Sequence, residues 1–168
     1  MADIQLTNVS YDEITAAIEY QLIQPDRLDR PLLVFLHEGL GSVAMWKDWP
    51  ANLCRLLDCR GLVFSRHGYG KSTPRPAQEQ WLPDFMHIQA QHFLPAFFSA
   101  LGIDTRADQP ILVGHSDGAS IALLYAAAFP DRIRAAPVLA PHLFVEEATV
   151  RNIELARMVS LCCWPPPI

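Results

Sequence analysis

The sequence predicts an α/β fold: an open, mostly parallel sheet with helices on both faces and an antiparallel hairpin at its N-terminal end. Three observations carry this. Short, continuous apolar runs, of the kind strands show when both their faces are covered, alternate with segments at helical spacing. The first segments of the chain instead read as two partly alternating strands around a short polar break. Most tellingly, the apolar run 110–113 passes through Gly114-His115-Ser116-Asp117-Gly118 directly into an apolar helical stretch. A strand that turns into a helix so tightly leaves no room for a Cβ at either glycine, and it presents the serine at the turn.

Taken in order, Ile4 to Val9 and Ile14 to Ile23 predict the hairpin, with Ser10-Tyr11-Asp12-Glu13 as its turn. Gln24 to Arg30 reads as a surface loop, and Pro31-Leu32-Leu33-Val34-Phe35-Leu36 as a strand buried on both faces. Trp46, Trp49, Leu53, Leu56 and Leu57 recur at helical spacing, with Asp48 and Pro50 suited to a helix start. Gly61-Leu62-Val63-Phe64 is the next strand. Lys71 to Gln80 is a loop, and Trp81 to Leu101 predicts a helix kinked near Pro95. The strand and helix around Ser116 follow, ending at Phe129-Pro130; Ile133 to Leu139 supplies a further strand, and Glu146 to Met158 a polar helix whose Glu146, Glu147 and Glu154 form a solvated face. In such sheets ligands sit at the carboxyl ends of the strands.

Composition narrows the function class. With 168 residues, 51% hydrophobic and 18% charged, the chain has the material for one buried core. A net charge of −5 without any basic run argues against nucleic acid or an anionic membrane surface as partner and favours a small molecule. No apolar run is long enough to span a bilayer, and Met1-Ala2-Asp3-Ile4-Gln5 does not open a leader sequence. Cys54, Cys59, Cys162 and Cys163 have neither zinc-like spacing with histidine nor the pattern of a disulfide framework, so a cytoplasmic setting is expected.

The chemistry follows from Ser116. The helix that starts at the turn directs its unpaired N–H groups and positive dipole end at any negative charge developing on a substrate oxygen. Three ordered motifs, His37-Glu38-Gly39-Leu40-Gly41-Ser42, Ser65-Arg66-His67-Gly68-Tyr69-Gly70-Lys71-Ser72 and Gly114-His115-Ser116-Asp117-Gly118, together resemble the α/β-hydrolase superfamily. The resemblance implies a sheet of that type and identifies the motifs as its oxyanion loop, its Arg-Gly-x-Gly-x-Ser loop and its nucleophile elbow. It makes Ser116 the nucleophile and places the oxyanion hole at the backbone N–H of Asp117 and of Gly39 or Leu40, with Glu38 standing where the family usually has glycine. A serine where dehalogenases of the same fold use aspartate implies an ester, thioester or related acyl bond as target, with no metal or organic cofactor required.

Trp46, His142 and Phe144 are the expected lining of the substrate pocket, and Trp81 adds to the suggestion of an apolar or aromatic acyl group; His142, the only histidine after Ser116, reads as a pocket or cap-hinge residue first and as general base second. His37 and His115 flank motifs and are expected to pack or hydrogen-bond rather than act as base; His67 reads as a solvated or loop-bracing residue. In the family's chain order an acid and a histidine follow the serine on loops after later strands. No residue of this sequence matches that histidine. The expected organisation is therefore residues 1–144 as the N-terminal part of a hydrolase core, incomplete at the C-terminus, 145–160 as the start of a cap, and 161–168 as an atypical tail. An unpaired sheet edge could then drive association. Two other readings stand beside the hydrolase: a catalytically silent truncated fragment, and a nucleotide-binding protein suggested by Gly70-Lys71-Ser72. The latter lacks the glycine expected at Ser65, and Pro74 follows where a helix should open.

Overall fold

The computed structural model describes residues 3–76, 78, 80–143 and the positions 147, 150, 151 and 155. Six strands form one sheet in the order β1-β2-β4-β3-β5-β6. β1 (Ile4–Tyr11) and β2 (Ile14–Ile23) pair antiparallel as the expected hairpin, and β2 pairs antiparallel with β4 (Arg60–Phe64). β3 (Leu32–Leu36) lies parallel to both β4 and β5 (Ile111–His115), and β6 (Val138–Leu139) lies parallel to β5. The fully apolar β3 takes a central place because only there are both faces covered, and all five of its residues are buried.

The side-chain alternation of β3 divides the core. Leu32, Val34 and Leu36 join one cluster with Phe64, Phe93, Phe97, Phe98, Ile121 and Tyr125; Leu33 and Phe35 join Val43, Cys54, Cys59, Val63 and Val113 on the other side. The first face is covered by α3 (Leu94–Ala100) and α5 (Asp117–Ala128), the second by α1 (Trp49–Leu57), so helices do lie on both faces; the one-turn α4 (Thr105–Asp108) precedes β5. Cys54 and Cys59 are buried free thiols; burial pushes Cys54 up to about 11 and raises Cys59 as well. Cys162 and Cys163 lie outside the described residues.

Three elements differ from the sequence-based expectation. Trp46 belongs to a separate 3₁₀ turn, Ala44–Trp46, before α1 begins at Trp49. The helix expected from Trp81 starts at Phe85 with α2 (Phe85–Ile88), and the disturbance attributed to Pro95 is a π-helical turn, Gln89–Phe93, immediately ahead of α3. The widened turn accommodates a proline that would otherwise collide with the carbonyl four residues back. The strand expected over Ile133 to Leu139 is regular only at Val138–Leu139, with an isolated bridge at Ala135. The segment still accepts bonds from Leu112, Gly114 and Ser116 through the carbonyls of Ala135, Pro137 and Leu139, but Pro137 has no N–H to return to the ladder.

Of the polar helix expected over Glu146 to Met158, the described positions Glu147, Val150, Arg151 and Leu155 are helical and exposed; Glu146, Glu154 and the tail lie outside the described residues. No described helix is long and apolar enough to cross a membrane.

Candidate active site

All three motifs open at the carboxyl ends of β3, β4 and β5, and close packing brings them together. Ser116 stands between β5 and α5 with φ 52° and ψ −116°, a positive-φ conformation that costs a non-glycine residue energy and that the flanking elements must enforce. They do so through contacts that exclude a Cβ. A methyl at Gly118 would lie 2.1 Å from the Leu36 carbonyl oxygen, and one at Gly114 would lie 2.5 Å from that of Gly118. The start of α5 therefore rests directly on the end of β3, and the half-buried Ser116 is held at the turn.

On one side of Ser116 lies a buried polar framework. His37 is 2% exposed; its Nδ1 donates to the Glu38 carbonyl at 2.6 Å, and its Nε2 accepts from the Arg66 backbone N–H at 3.0 Å. Both bonds suit a neutral imidazole, and burial, reinforced by the Arg66 charge, lowers His37 to about 3. His37 is thus a brace, as its place in the motif implied.

Arg66 is buried as completely. Its Nη2 donates to the Glu38 carbonyl at 3.1 Å and lies 3.6 Å from Asp117 Oδ2, so one guanidinium ties the loop after β3 to the first residue of α5. Burial lowers the pKa of Arg66, opposed by Tyr69 and then Asp117. A Cβ at Gly39 would meet Asp117 Oδ2 at 3.0 Å, which measures how closely that loop abuts the elbow. The two candidate loop amides differ: Leu40 N–H is engaged by the Glu38 carboxylate at 2.5 Å.

A buried acid, Glu19 of β2, organises the loop after β4. Its carboxylate accepts from Ser65 Oγ at 2.6 Å and from Lys71 N–H at 2.9 Å, while its own N–H donates to Ser72 Oγ. A carboxylate already occupies the Lys71 amide that a phosphate would need, which counts against the nucleotide-loop reading of Gly70-Lys71-Ser72. His67 is buried with Nδ1 3.4 Å from Tyr11 Oη, the loop-bracing position expected of it.

On the other side, the segment after β6 brings His142 to Ser116. Ser116 Oγ and His142 Nε2 are 2.9 Å apart, and the same Nε2 lies 3.4 Å from Asp117 Oδ1. His142 is anchored by its backbone, whose N–H donates to Ser120 Oγ at 2.7 Å; that hydroxyl reaches back toward the His142 carbonyl at 3.3 Å. Expected as a pocket residue, His142 is a direct hydrogen-bonding partner of Ser116. Trp46 lines a cavity of about 230 Å³ with His37, Glu38, Gly41, Met45 and His115. Trp81 instead lines a separate cavity with Tyr11, His67 and Phe85, under the guanidinium of Arg75. Phe144 lies outside the described residues. Among those described, no group of three or more His, Cys, Asp or Glu side chains could hold a metal ion.

Sequence reasoning singled out the motif holding Arg66 without giving Arg66 a role, and it passed over Glu19 and Ser120. The signal for Arg66 was a cationic side chain directly behind an apolar strand end, where the carbonyls and acids of neighbouring loops converge. For Glu19 there was no local signal, since it alternates with Thr15, Ala17 and Gln21 on the strand face opposite Ala16 and Ile18.

Against known proteins, residues 31–157 match the model of the alpha/beta hydrolase fold family. A comparison with curated proteins gives no match. Among solved structures, the chain superposes on a thermophilic esterase from Thermogutta terrifontis with TM-score 0.68 and 19% identity, over 94% of this chain and 53% of that one. A probable hydrolytic enzyme from Pseudomonas aeruginosa gives TM-score 0.68 and 16% identity over 98% and 56%. The haloalkane dehalogenase DatA from Agrobacterium tumefaciens C58 gives 0.62 and 24% over 90% and 48%. The chain spans about half the length of these structures.

Proposed function

The chain belongs to the α/β-hydrolase family, and from that premise we propose that it is a serine hydrolase cleaving an ester, thioester or related acyl bond through Ser116. The observation that carries the reading is Ser116 at a positive-φ turn ahead of a twelve-residue helix, its Oγ 2.9 Å from an imidazole nitrogen. In this mechanism Oγ attacks the acyl carbon, its proton passes to the departing alcohol or thiol as the acyl bond breaks, and the oxyanion formed on the way is received by the backbone N–H of Asp117 and Gly39 at the positive end of α5. Gly39 is preferred over Leu40 because the Leu40 N–H is already spent on Glu38. Acyl transfer of this kind needs no cofactor.

A second reading, that residues 1–168 by themselves turn over little ester, draws on the position of His142. In an efficient triad the acid orients the histidine through the nitrogen that does not face the serine. Here Ser116 and Asp117 address the same Nε2. The carboxylate favours a proton on that nitrogen, which makes His142 a donor to Ser116 and a poor acceptor of its proton.

The test compares residues 1–168 with Ser116→Ala and His142→Ala, using 4-nitrophenyl acetate for turnover and an alkyl fluorophosphonate for labelling. Labelling that depends on Ser116, with turnover only slightly above that of Ser116→Ala, is expected. Equal labelling in Ser116→Ala would sink the nucleophile assignment. Rapid turnover lost in both variants would make His142 the base and overturn the low-turnover reading.

A further inference from the structure

The cavity beside the nucleophile has a chemical character of its own. Its lining residues are His37, Glu38, Gly41, Met45, Trp46 and His115, and among the described residues no lysine or arginine lines it. Burial keeps His37 neutral. Arg66 is the guanidinium nearest the loop, and it is shared between the Glu38 carbonyl and the Asp117 carboxylate beneath. The ion pair of Arg66 is with Asp117, which leaves the negative charge of the Glu38 carboxylate without an ion-pair partner among the described residues. That charge is offered to the cavity because Glu38 is fixed: its Oε2 accepts from Leu40 N–H at 2.5 Å, which holds the side chain over its own loop. The aromatic wall is fixed too. Trp46 stacks on Trp49 at 5.3 Å between centroids and meets Phe35 edge-on at 5.8 Å, and its Nε1 has no hydrogen-bond partner among the described residues.

A preset carboxylate beside a preset indole is the pairing that recognises an organic cation, one partner by charge and the other through its ring face. We infer that this cavity selects acyl compounds carrying an ammonium group, with Glu38 and Trp46 as the specificity-determining residues and the ammonium seated between them. The inference rests on Ser116 as nucleophile for its meaning as substrate selection. The cavity joins the acyl site through His115, the residue before Ser116, and through the loop that supplies Gly39. The glutamate at position 38, where the family's loop usually has glycine, then acquires a role: it spends one amide of the oxyanion loop and gains a charge that reads the substrate.

Binding is tested apart from turnover with a nearly isosteric pair, benzylamine and benzyl alcohol, titrated into the full chain at neutral pH and followed by tryptophan fluorescence and chemical-shift perturbation. Benzylamine is expected to bind about tenfold more tightly, a ratio worth about 1.4 kcal/mol, and to lose most of that advantage as salt is raised. Glu38→Gln retains an acceptor for Leu40 N–H and should bring the two ligands to parity. Trp46→Leu should weaken benzylamine more than the alcohol. Equal affinities in the unmodified chain, a salt-independent preference, absence of saturable binding, or a preference that survives Glu38→Gln would each overturn the inference. The salt series needs no variant and so decides the matter even where a substitution disturbs folding. Ser116→Ala should leave the preference intact. Loss of the preference with fluorophosphonate labelling retained defeats this inference alone, whereas a preference kept without Ser116-dependent labelling defeats the hydrolase reading alone.

Discussion

Ser116 stands between two walls built in different ways. On the side of β3 and β4, His37 and Arg66 are almost fully buried, and each makes at least two polar contacts to backbone or side chains of neighbouring loops. On the side of β6, the segment Ala140–Leu143 is mostly exposed, and His142 is anchored through the single hydroxyl of Ser120 while its ring reaches Ser116 and Asp117. The first wall is preorganised because moving any part of it would strand a buried donor or charge. Leaving the second breaks the exposed Ser116–His142 contact and the part-buried bonds to Ser120 Oγ. The loops of the first wall are thus held rigidly, while the imidazole beside Ser116 is held more weakly, a division that suits a histidine serving as a latch more than one serving as a base.

The comparison breaks most severely at the seam between β3 and α5. Gly118→Ala places a methyl on backbone atoms of Leu36 that cannot rotate away, so a loss of about 3 kcal/mol is expected. A lower urea midpoint and loss of Ser116 labelling would show it; a stability unchanged from the parent chain would mean that α5 does not rest on β3 as described.

Acid should separate the walls next. His37 lowered to about 3 from 6.5 stays neutral in the fold while the unfolded chain takes up a proton. The sign follows directly: above about pH 6.5 neither state is protonated at His37, and below it the unfolded state is favoured. His37 should therefore cost the fold about 1.4 kcal/mol per pH unit as pH falls from 6.5 toward 3. Urea titrations at successive pH values should decline more steeply for the unmodified chain than for His37→Gln; parallel slopes would contradict a buried neutral imidazole.

The smallest effect is expected on the exposed wall. Ser120→Ala removes the anchor of His142 for about 1 kcal/mol of stability, yet it should raise the mobility of the His142 ring markedly, read from imidazole relaxation by NMR. An unchanged ring would show that contacts other than Ser120 hold the latch.

Much of this molecule is legible in order along the chain. The apolar run of β3, the hairpin and the strand-to-helix turn at Ser116 each follow from periodicity or from glycine placement, because those signals are local. The strand after α5 was overread: Ile133 to Leu139 has the apolar content of a strand, but Pro137 interrupts its pairing, and a missing N–H matters only once a neighbour is there to receive it. Trp81 carries in the sequence only the suggestion of an apolar or aromatic acyl group, and the fold sets it in a cavity with Tyr11, under the guanidinium of Arg75.

The sequence by itself determined the family, the α/β sheet and the serine at the elbow, since each is written in contiguous residues whose spacing has a steric reason. Only the tertiary structure decided the partners of that serine. His142 reaches Ser116 across 26 positions of chain, Arg66 joins Glu38 to Asp117 from a third strand end, and Glu38 consumes the Leu40 amide through a side-chain rotamer. Such contacts depend on which strand ends converge and on where buried polar groups can be satisfied, and neither quantity is carried by any local stretch of sequence.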